Sequence, residues 1–479
     1  MASEGSEEIV KLIQKVDQAG QSHILHYLGE LDREKKETLL EEIKSVDFGL
    51  VSELYKTHHV EGVKQAEEII IEPYPNILDI STLSKQHLKN LHKDGLKLIA
   101  EGKVAVLMFA GGQATRLGVS YPKGMYDIGL LSHKSLFQIY SERLISLQTL
   151  ASESLSSPAP PIPWLIMTNQ ESLLLIQSYF RSNAYFGLDQ SQLFFFPQEM
   201  LPAIDFDGKI LLSQKNKLSL SPNGNGGVYE SLEKSGGLLW LENKRIKFLH
   251  ICGVDNALLK ICDPKFIGYA EDQDVDVVSK VVAKKSYNEA CGVLAMKNSK
   301  LCVVEYSELS EEMAKSVDEE GKLRYFGGNI LNHIMKVSFI RRIVSNHLSE
   351  LRSKYHVARK KVPHIENGQV VTPNVPNALK FELFYFDVLE LAESSAALCC
   401  DRDSEFSPVK NASGPDSPES ARTLINNLHL KWVEKAGGIL PQGIPDGIVC
   451  EISPLVSYDG ENLKFLENKK ISLPFYLYY

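Results

Sequence analysis

The chain has 479 residues, 43% apolar and 24% charged, the composition of a globular protein of about two to four domains. A net charge of −9 excludes a global electrostatic case for nucleic acid or an anionic membrane, so an anionic ligand must be held by local cations. The acidic opening MASEGSEE does not read as a signal peptide, and no apolar run approaches the ~20 residues of a membrane span. The seven cysteines (Cys252, Cys262, Cys291, Cys302, Cys399, Cys400, Cys450) form no Cys-x-x-Cys pair, which argues against structural zinc and for reduced thiols in the cytoplasm.

In chain order, Ile9, Leu12, Ile13 and Val16 lie at helical spacing, as do Ile24, Leu25, Leu28 and Leu31, and then Leu39, Leu40, Ile43 and Val46. This predicts a small helical unit over residues 7–55, broken near Gly20 and Arg33. Residues 70–80, with two prolines, read as an extended connector, and 83–101 as a helix. Residues 104–110, VAVLMFA, are apolar without alternation, the pattern of a strand buried on both faces. Gly111 and Gly112 follow, then Arg116 and Lys123. Bare amides and two cations beyond a strand end suit a polyphosphate, because ligands of open α/β sheets sit outside the carboxyl ends of strands. This is neither a P-loop, since Gly124 and Met125 follow Lys123, nor a Gly-x-Gly-x-x-Gly turn.

The whole string over residues 110–130, AGGQATRLGVSYPKGMYDIGL, resembles the signature loop of the eukaryotic UDP-N-acetylhexosamine pyrophosphorylases. These uridylyltransferases make a UDP-sugar from UTP and a sugar 1-phosphate. The family loop reads A-G-G-Q-G-T-R-L-G and then Y-P-K-G-M-Y-D; Ala114 stands where the family has glycine. The resemblance implies that Ala110, Gly111, Gly112 and Lys123 bind the nucleotide, with Arg116 and Lys123 catalytic.

Further on, residues 135–150 read as a helix capped by Ser135, and 164–168 and 193–196 as buried strands, which predicts a parallel sheet with right-handed crossovers. Gln198 is either a surface amide or a uracil reader, since it offers a donor beside an acceptor; the family has glutamine there, but glycine at the place of Glu199. The loop SPNGNGGVY, residues 221–229, is similar to the family's P-D-G-N-G-G-L-Y, which implies base and sugar contacts for Gly224 and Asn225. The strand at 248–254 ends on Asp255. That carboxylate reads either as a helix cap or as a ligand of Mg²⁺, which takes one or two carboxylates plus phosphates and waters. The family's C-V-D-N favours the metal, Mg²⁺ or Mn²⁺.

Gly292 and the segment VEYSE at 304–308 are expected on antiparallel strands. The resemblance implies that Gly292, Glu305, Tyr306 and Asn329 hold the N-acetylated sugar. His333 reads as structural. Lys380 resembles a phosphate-binding lysine of the nucleotide site, with Ala378 in place of a family glycine. In a loop at 401–421, EFSPVKNA matches the family's E-F-S-P-L-K-N-A and implies that Lys410 binds the sugar phosphate. A helix from about residue 423 and the string CEISPL at 450–455 close the chain.

The implied fold is α/β: a central mixed, mostly parallel sheet with helices on both faces, Rossmann-like, as in nucleotide-sugar pyrophosphorylases. The expected boundaries are a helical domain at 1–100, a catalytic nucleotidyltransferase domain at 101–400, and a small α+β domain at 401–479 that contributes to the site. The implied reaction joins UTP to N-acetylglucosamine 1-phosphate, giving UDP-N-acetylglucosamine and diphosphate, with N-acetylgalactosamine 1-phosphate left open. The expected partners are these small molecules, with no nucleic acid and no membrane, for a monomer or homodimer. Two other readings stand beside it. Ala114, Glu199 and Ala378 fit a UDP-sugar-binding pseudoenzyme; Asp205-Phe206-Asp207 and Asp274-Val275-Asp276 have the Asp-x-Asp pattern of a glycosyltransferase.

Overall fold

The apolar runs become the strands of one large sheet. A computed structural model of the chain describes residues 2–57, 70–443, 447 and 449–478. The sheet contains β1 (Ile71–Pro73), β2 (Ile77–Asp79), β3 (Val104–Phe109), β4 (Trp164–Thr168), β5 (Leu193–Pro197), β6 (Phe248–Gly253), β7 (Val277–Ala283), β8 (Val293–Lys297), β9 (Lys300–Val304), β10 (Gly327–Lys336) and β11 (Ser395–Cys400). The main path runs β2-β11-β7-β10-β6-β3-β4-β5, and β8 pairs with β1, β9 and β10. On the main path every neighbour is parallel except β10, which runs against both β6 and β7. The expected mixed, mostly parallel sheet is therefore present. Val104, Val106 and Met108 face a core that includes Leu98, Phe137 and Phe266, while Ala105 and Leu107 are fully buried on the opposite face. Burial on both faces is why these strands lack alternation.

Residues 70–80 are not a simple connector: β1 pairs with β8 and β2 forms an edge of the sheet beside β11. The second of the expected antiparallel strands stops at Val304, so Glu305 and Tyr306 lie in the turn that follows. Ser135 caps its helix as expected, accepting from the Gln138 amide at 3.3 Å, but the helix runs on to Leu155.

Two helices meet backbone to backbone. In Lys85–Ala100, a Cβ on Gly95 would lie 1.8 Å from the carbonyl oxygen of Pro264, and in Pro264–Gln273 a Cβ on Gly268 would lie 1.9 Å from that of Leu91. Alanine raises helix propensity by about 1 kcal/mol, but forcing the helices apart costs more. Gly268→Ala is thus expected to lower stability by about 2–3 kcal/mol in urea unfolding; an unchanged midpoint would show that the two helices can part at no cost.

The chain divides into two compact units. The first comprises residues 1–69, 198–230 and 344–388, the second 70–197, 231–343 and 389–479. These lines differ from the expected boundaries at 100 and 400 because segments remote in sequence pack together. In the first unit the helices Arg33–Ser45 and Phe48–Tyr55 are capped by Asp32 and Asp47. Residues 22–30 form two short 3-10 turns, Ser22–Leu25 and Leu28–Glu30, in place of the expected helix. Their backbone is drawn away by side-chain bonds to 208–210: Gln21 donates to the Gly208 carbonyl at 2.9 Å and accepts from the Ile210 amide at 2.9 Å. In the second unit the C-terminal segment has its own α+β core, built on the helix Pro418–Lys435 and the parallel pair Cys450–Ile452 and Phe475–Leu477. No helix among the described residues is long and apolar enough to cross a membrane.

Candidate active site

Register explains the site of the second unit. β3 and β6 are parallel neighbours with Phe109 opposite Gly253, so the loop after one and the turn after the other begin side by side. β10 is inverted, which puts its first residues, including Asn329, opposite Val281 near the end of β7. β11 ends beside β7, with Cys400 opposite Val282, and sends residues 401–410 off the same edge. The elements that carry Gly111, Lys123, Asp255, Gly292, Asn329 and Lys410 thus leave or enter the sheet along its carboxyl edge, where ligands of α/β sheets bind.

The first loop is closed on itself. The Lys123 amide donates to the Gly112 carbonyl at 3.1 Å and the Ala114 amide to the Tyr121 carbonyl at 3.1 Å. Among the described residues, the amides of Gly111 and Gly112 find no acceptor. A Cβ on Gly112 would meet nothing within 4 Å, whereas one on Gly111 would lie 3.0 Å from the Asn169 amide nitrogen. Gly112 is therefore open to a ligand, and Gly111 is glycine because β4 crowds it. Lys123 Nζ lies 3.5 Å from Asp255 Oδ2, and Arg116 is exposed with no ion pair among the described residues. Ala114 has φ −89°, a conformation any L-residue adopts, and is fully buried. The backbone there does not require the family's glycine.

The turn after β6 is held from behind by two residues of the helix Leu136–Leu155, Tyr140 and Arg143, that the sequence reading did not single out. The Tyr140 hydroxyl, fully buried, donates to the carbonyls of Asn256 at 2.6 Å and Val254 at 3.0 Å. Burial pushes its phenol well above the ordinary range, so it stays a donor. Arg143 donates to Leu259 at 2.7 Å and Ala257 at 3.2 Å. Asn169 was also missed: its Nδ2 donates to the Gly111 carbonyl at 2.9 Å, and its Oδ1 accepts from the Ser172 amide at 2.7 Å. Its signal was a polar residue directly after a buried strand, the same pattern as Asp255 after β6.

Gly292, Glu305 and Asn329 do come together: the Asn329 amide donates to the Gly292 carbonyl at 2.8 Å, and a Cβ on Gly292 would lie 3.0 Å from Glu305 Oε1. Tyr306 beside them is 56% exposed. Asn329 Oδ1 also lies 3.2 Å from His333 Nε2, whose Nδ1 lies 2.8 Å from Ser279 Oγ. His333 is fully buried, in line with a structural role. Lys410 is exposed and makes no ion pair among the described residues, but Val409 before it donates to the Asp255 carbonyl at 2.8 Å.

Burial lowers His92 and, most strongly, three histidines of this unit, His250 to about 4, His333 to about 3 and His429 to about 3. His250 and His429 each accept a backbone N–H through Nδ1, which requires the neutral ring. Their folded values lie below the unfolded value near 6.5, so the unfolded chain binds protons first as pH falls. Stability is full above about pH 6.5 and falls below it, by up to about 4 kcal/mol per pH unit for the three together. Thermal melting is expected to drop steeply between pH 6.5 and 4.5; a flat profile would show that these rings are charged in the fold.

The first unit holds Gln198, Gly224, Asn225 and Lys380. Gln198 Nε2 donates to the Gly224 carbonyl, and Asn225 Oδ1 accepts from the Tyr385 amide at 2.9 Å. Both side-chain amides are therefore engaged by backbone groups, a role the sequence reading did not assign. Gly224 has φ +83°, and a Cβ there would lie 2.3 Å from the Leu383 carbonyl oxygen, so close backbone packing accounts for this glycine. Lys380 is half-buried in the strand Ala378–Glu382, opposite Ala358, with no ion pair among the described residues. Ala378 is buried against Ala203 and Val362, so its Cβ fills a core.

Both Asp-x-Asp strings have other work. Asp205 accepts from the amides of Asp207 and Lys209 in a tight turn; Asp274 pairs with Lys336 and Asp276 with Arg342. No group of three or more His, Cys, Asp or Glu that could hold a metal occurs among the described residues. A single carboxylate at Asp255, with Lys123 Nζ 3.5 Å away, fits an ion that draws its remaining ligands from phosphates and water.

The family described as UTP–glucose-1-phosphate uridylyltransferase matches residues 50–440. A UDP-N-acetylglucosamine diphosphorylase 2 of Arabidopsis thaliana is 40% identical, over 95% of this chain and 90% of that protein. A UDP-N-acetylglucosamine pyrophosphorylase of Saccharomyces cerevisiae is 37% identical, over 94% and 96%. The solved uridine diphosphate N-acetylglucosamine pyrophosphorylase of Trypanosoma brucei superposes with a TM-score of 0.84 at 29% identity, over 98% of this chain and 97% of that one.

Proposed function

Because the chain belongs to the UTP–glucose-1-phosphate uridylyltransferase family and, within it, to the UDP-N-acetylhexosamine pyrophosphorylases, we propose that it joins UTP to N-acetylglucosamine 1-phosphate, releasing diphosphate and UDP-N-acetylglucosamine. The observation that supports this most is the carboxyl edge of the second unit. There free amides at Gly111 and Gly112 and Lys123 stand beside Asp255, and Val409, next to Lys410, is bonded to its carbonyl.

The attacking oxygen belongs to the sugar phosphate, an anion at neutral pH, so no general base is needed. It bonds to the α-phosphorus of UTP while the bond to the bridging oxygen breaks and diphosphate leaves. The obstacle is repulsion between polyanions, and the residues act by holding and neutralising them. Arg116 and Lys123, with the amides of Gly111 and Gly112 beyond Ala110, hold the triphosphate. Lys410 holds the incoming phosphate. Gly292, Glu305, Tyr306 and Asn329 take the sugar; a carboxylate suits hydroxyl donors because it only accepts. In the first unit, Gln198, Gly224, Asn225 and Lys380 remain candidate nucleotide and sugar contacts. Mg²⁺, or Mn²⁺ in its place, would be held by Asp255 and would supply neutralising positive charge at the phosphates.

The test is diphosphate release from UTP and Mg²⁺ with the 1-phosphates of N-acetylglucosamine, N-acetylgalactosamine and glucose. The N-acetylated sugars are expected to exceed glucose by at least about tenfold in kcat/KM. UTP binding without diphosphate release would favour a pseudoenzyme; a preference for glucose would remove the sugar role of Gly292 and Asn329.

A further inference from the structure

A closed cluster of three cations and three carboxylates lies behind this edge. Lys280, on β7, is completely buried, and its Nζ lies 2.6 Å from both Asp263 and Glu405. Lys260 lies 3.5 Å from Glu405 and 2.8 Å from Asp459, which also takes Lys265 at 2.8 Å. Burial opposes each charge. At Lys280, Asp263 and Glu405 outweigh it and raise the amine; at Asp263, the three lysines outweigh it and hold the carboxyl well below its usual range. Such clusters contribute little net stability compared with apolar side chains of the same shape; their best-attested use is to fix register.

The register in question is that of the segment carrying Lys410. Glu405 is the member of the cluster on that segment. Its carbonyl accepts from Asn256 Nδ2 at 2.8 Å, Asn256 Oδ1 accepts from the Ser407 amide at 2.8 Å, and the Ala257 amide donates to the Ser407 carbonyl at 3.0 Å. The Val409 amide then meets the Asp255 carbonyl at 2.8 Å. Residues 405–409 are thus zipped onto 255–257, with the charged cluster at one end and the Lys410 backbone at the other.

We infer that Glu405, clamped by Lys280 and Lys260, is a positioning residue: it sets where Lys410 stands relative to Asp255, and so tunes capture of the sugar phosphate rather than of UTP. This rests on the function proposed above. Glu405 touches no substrate and acts through Lys410.

Steady-state kinetics of Glu405→Gln, Lys410→Ala and the double variant test it. Glu405→Gln is expected to raise KM for the sugar phosphate about tenfold or more, with KM for UTP within about twofold. The double variant is expected to match Lys410→Ala within about twofold in kcat/KM for the sugar phosphate, because both changes remove one function. Additive losses, equal shifts in both KM values, or a lowered melting temperature with both KM values intact would overturn the inference. If Glu405→Gln does not fold, Lys260→Met at the rim of the cluster carries the same comparison. A wild-type protein that releases no diphosphate with any sugar 1-phosphate would overturn the proposed function and this inference together. An active wild type with additive losses would overturn this inference alone.

Discussion

Lys123→Ala is expected to lower kcat by about 10²–10³-fold while the protein stays folded, the loss seen when one preorganised donor to a developing charge is removed. The structural ties of this position are in its backbone: the amide donates to the Gly112 carbonyl, and alanine keeps that bond. Its side chain, 17% exposed, makes its one ion pair among the described residues with the Asp255 carboxylate at 3.5 Å, a loose pairing. The substitution therefore leaves the loop closed and takes away one positive charge beside Asp255. A thermal melt within a few degrees of wild type would separate this from unfolding. Turnover near wild type would remove Lys123 from the chemistry, and with it the reading of the whole edge.

The largest stability effect is expected at Lys280. Lys280→Met keeps the length of the stem but leaves Asp263 and Glu405 facing each other with less compensation in a site closed to water. Breaking a buried pair in this way costs about 3–5 kcal/mol. That is a large part of the 5–15 kcal/mol that typically holds a domain together. Denaturant unfolding measures it, and a change under about 1 kcal/mol would mean that water reaches these carboxylates. The loss at Lys280 is expected in the melt, whereas the loss at Lys123 is expected in turnover.

Much of this was legible in the chain because parallel strands buried on both faces leave plain apolar runs, as at Val104–Phe109 and Trp164–Thr168. Asp255 was legible because it directly follows such a run. What could not be read depends on partners far away. Ile71–Pro73 and Ile77–Asp79 look like a proline-rich link until Lys297 and Ala397 supply their hydrogen-bonding neighbours. The glycines at 224–227 read as a close backbone approach, but that the approaching backbone at Gly224 is that of Leu383 shows only in the fold. Lys280 sits oddly in the apolar VVSKVVA, and its meaning lies at Glu405, 125 positions later. Ala114 and Ala378 looked like damage to a glycine pattern, yet one has an ordinary φ and the other fills a core.

The zipper between 255–257 and 405–409 has a consequence for synthesis. Its two halves are about 150 positions apart, as the Asn256–Glu405 and Ser407–Asn256 bonds record. The sheet edge can begin to assemble while the polypeptide is still emerging from the ribosome, but the docked segment that carries Lys410 cannot, because such remote pairings close late. A product prematurely ended before residue 405 would keep Lys123, Asp255 and the docking groups of Asn256 and Lys280, and lose Lys410 with the segment that docks on them.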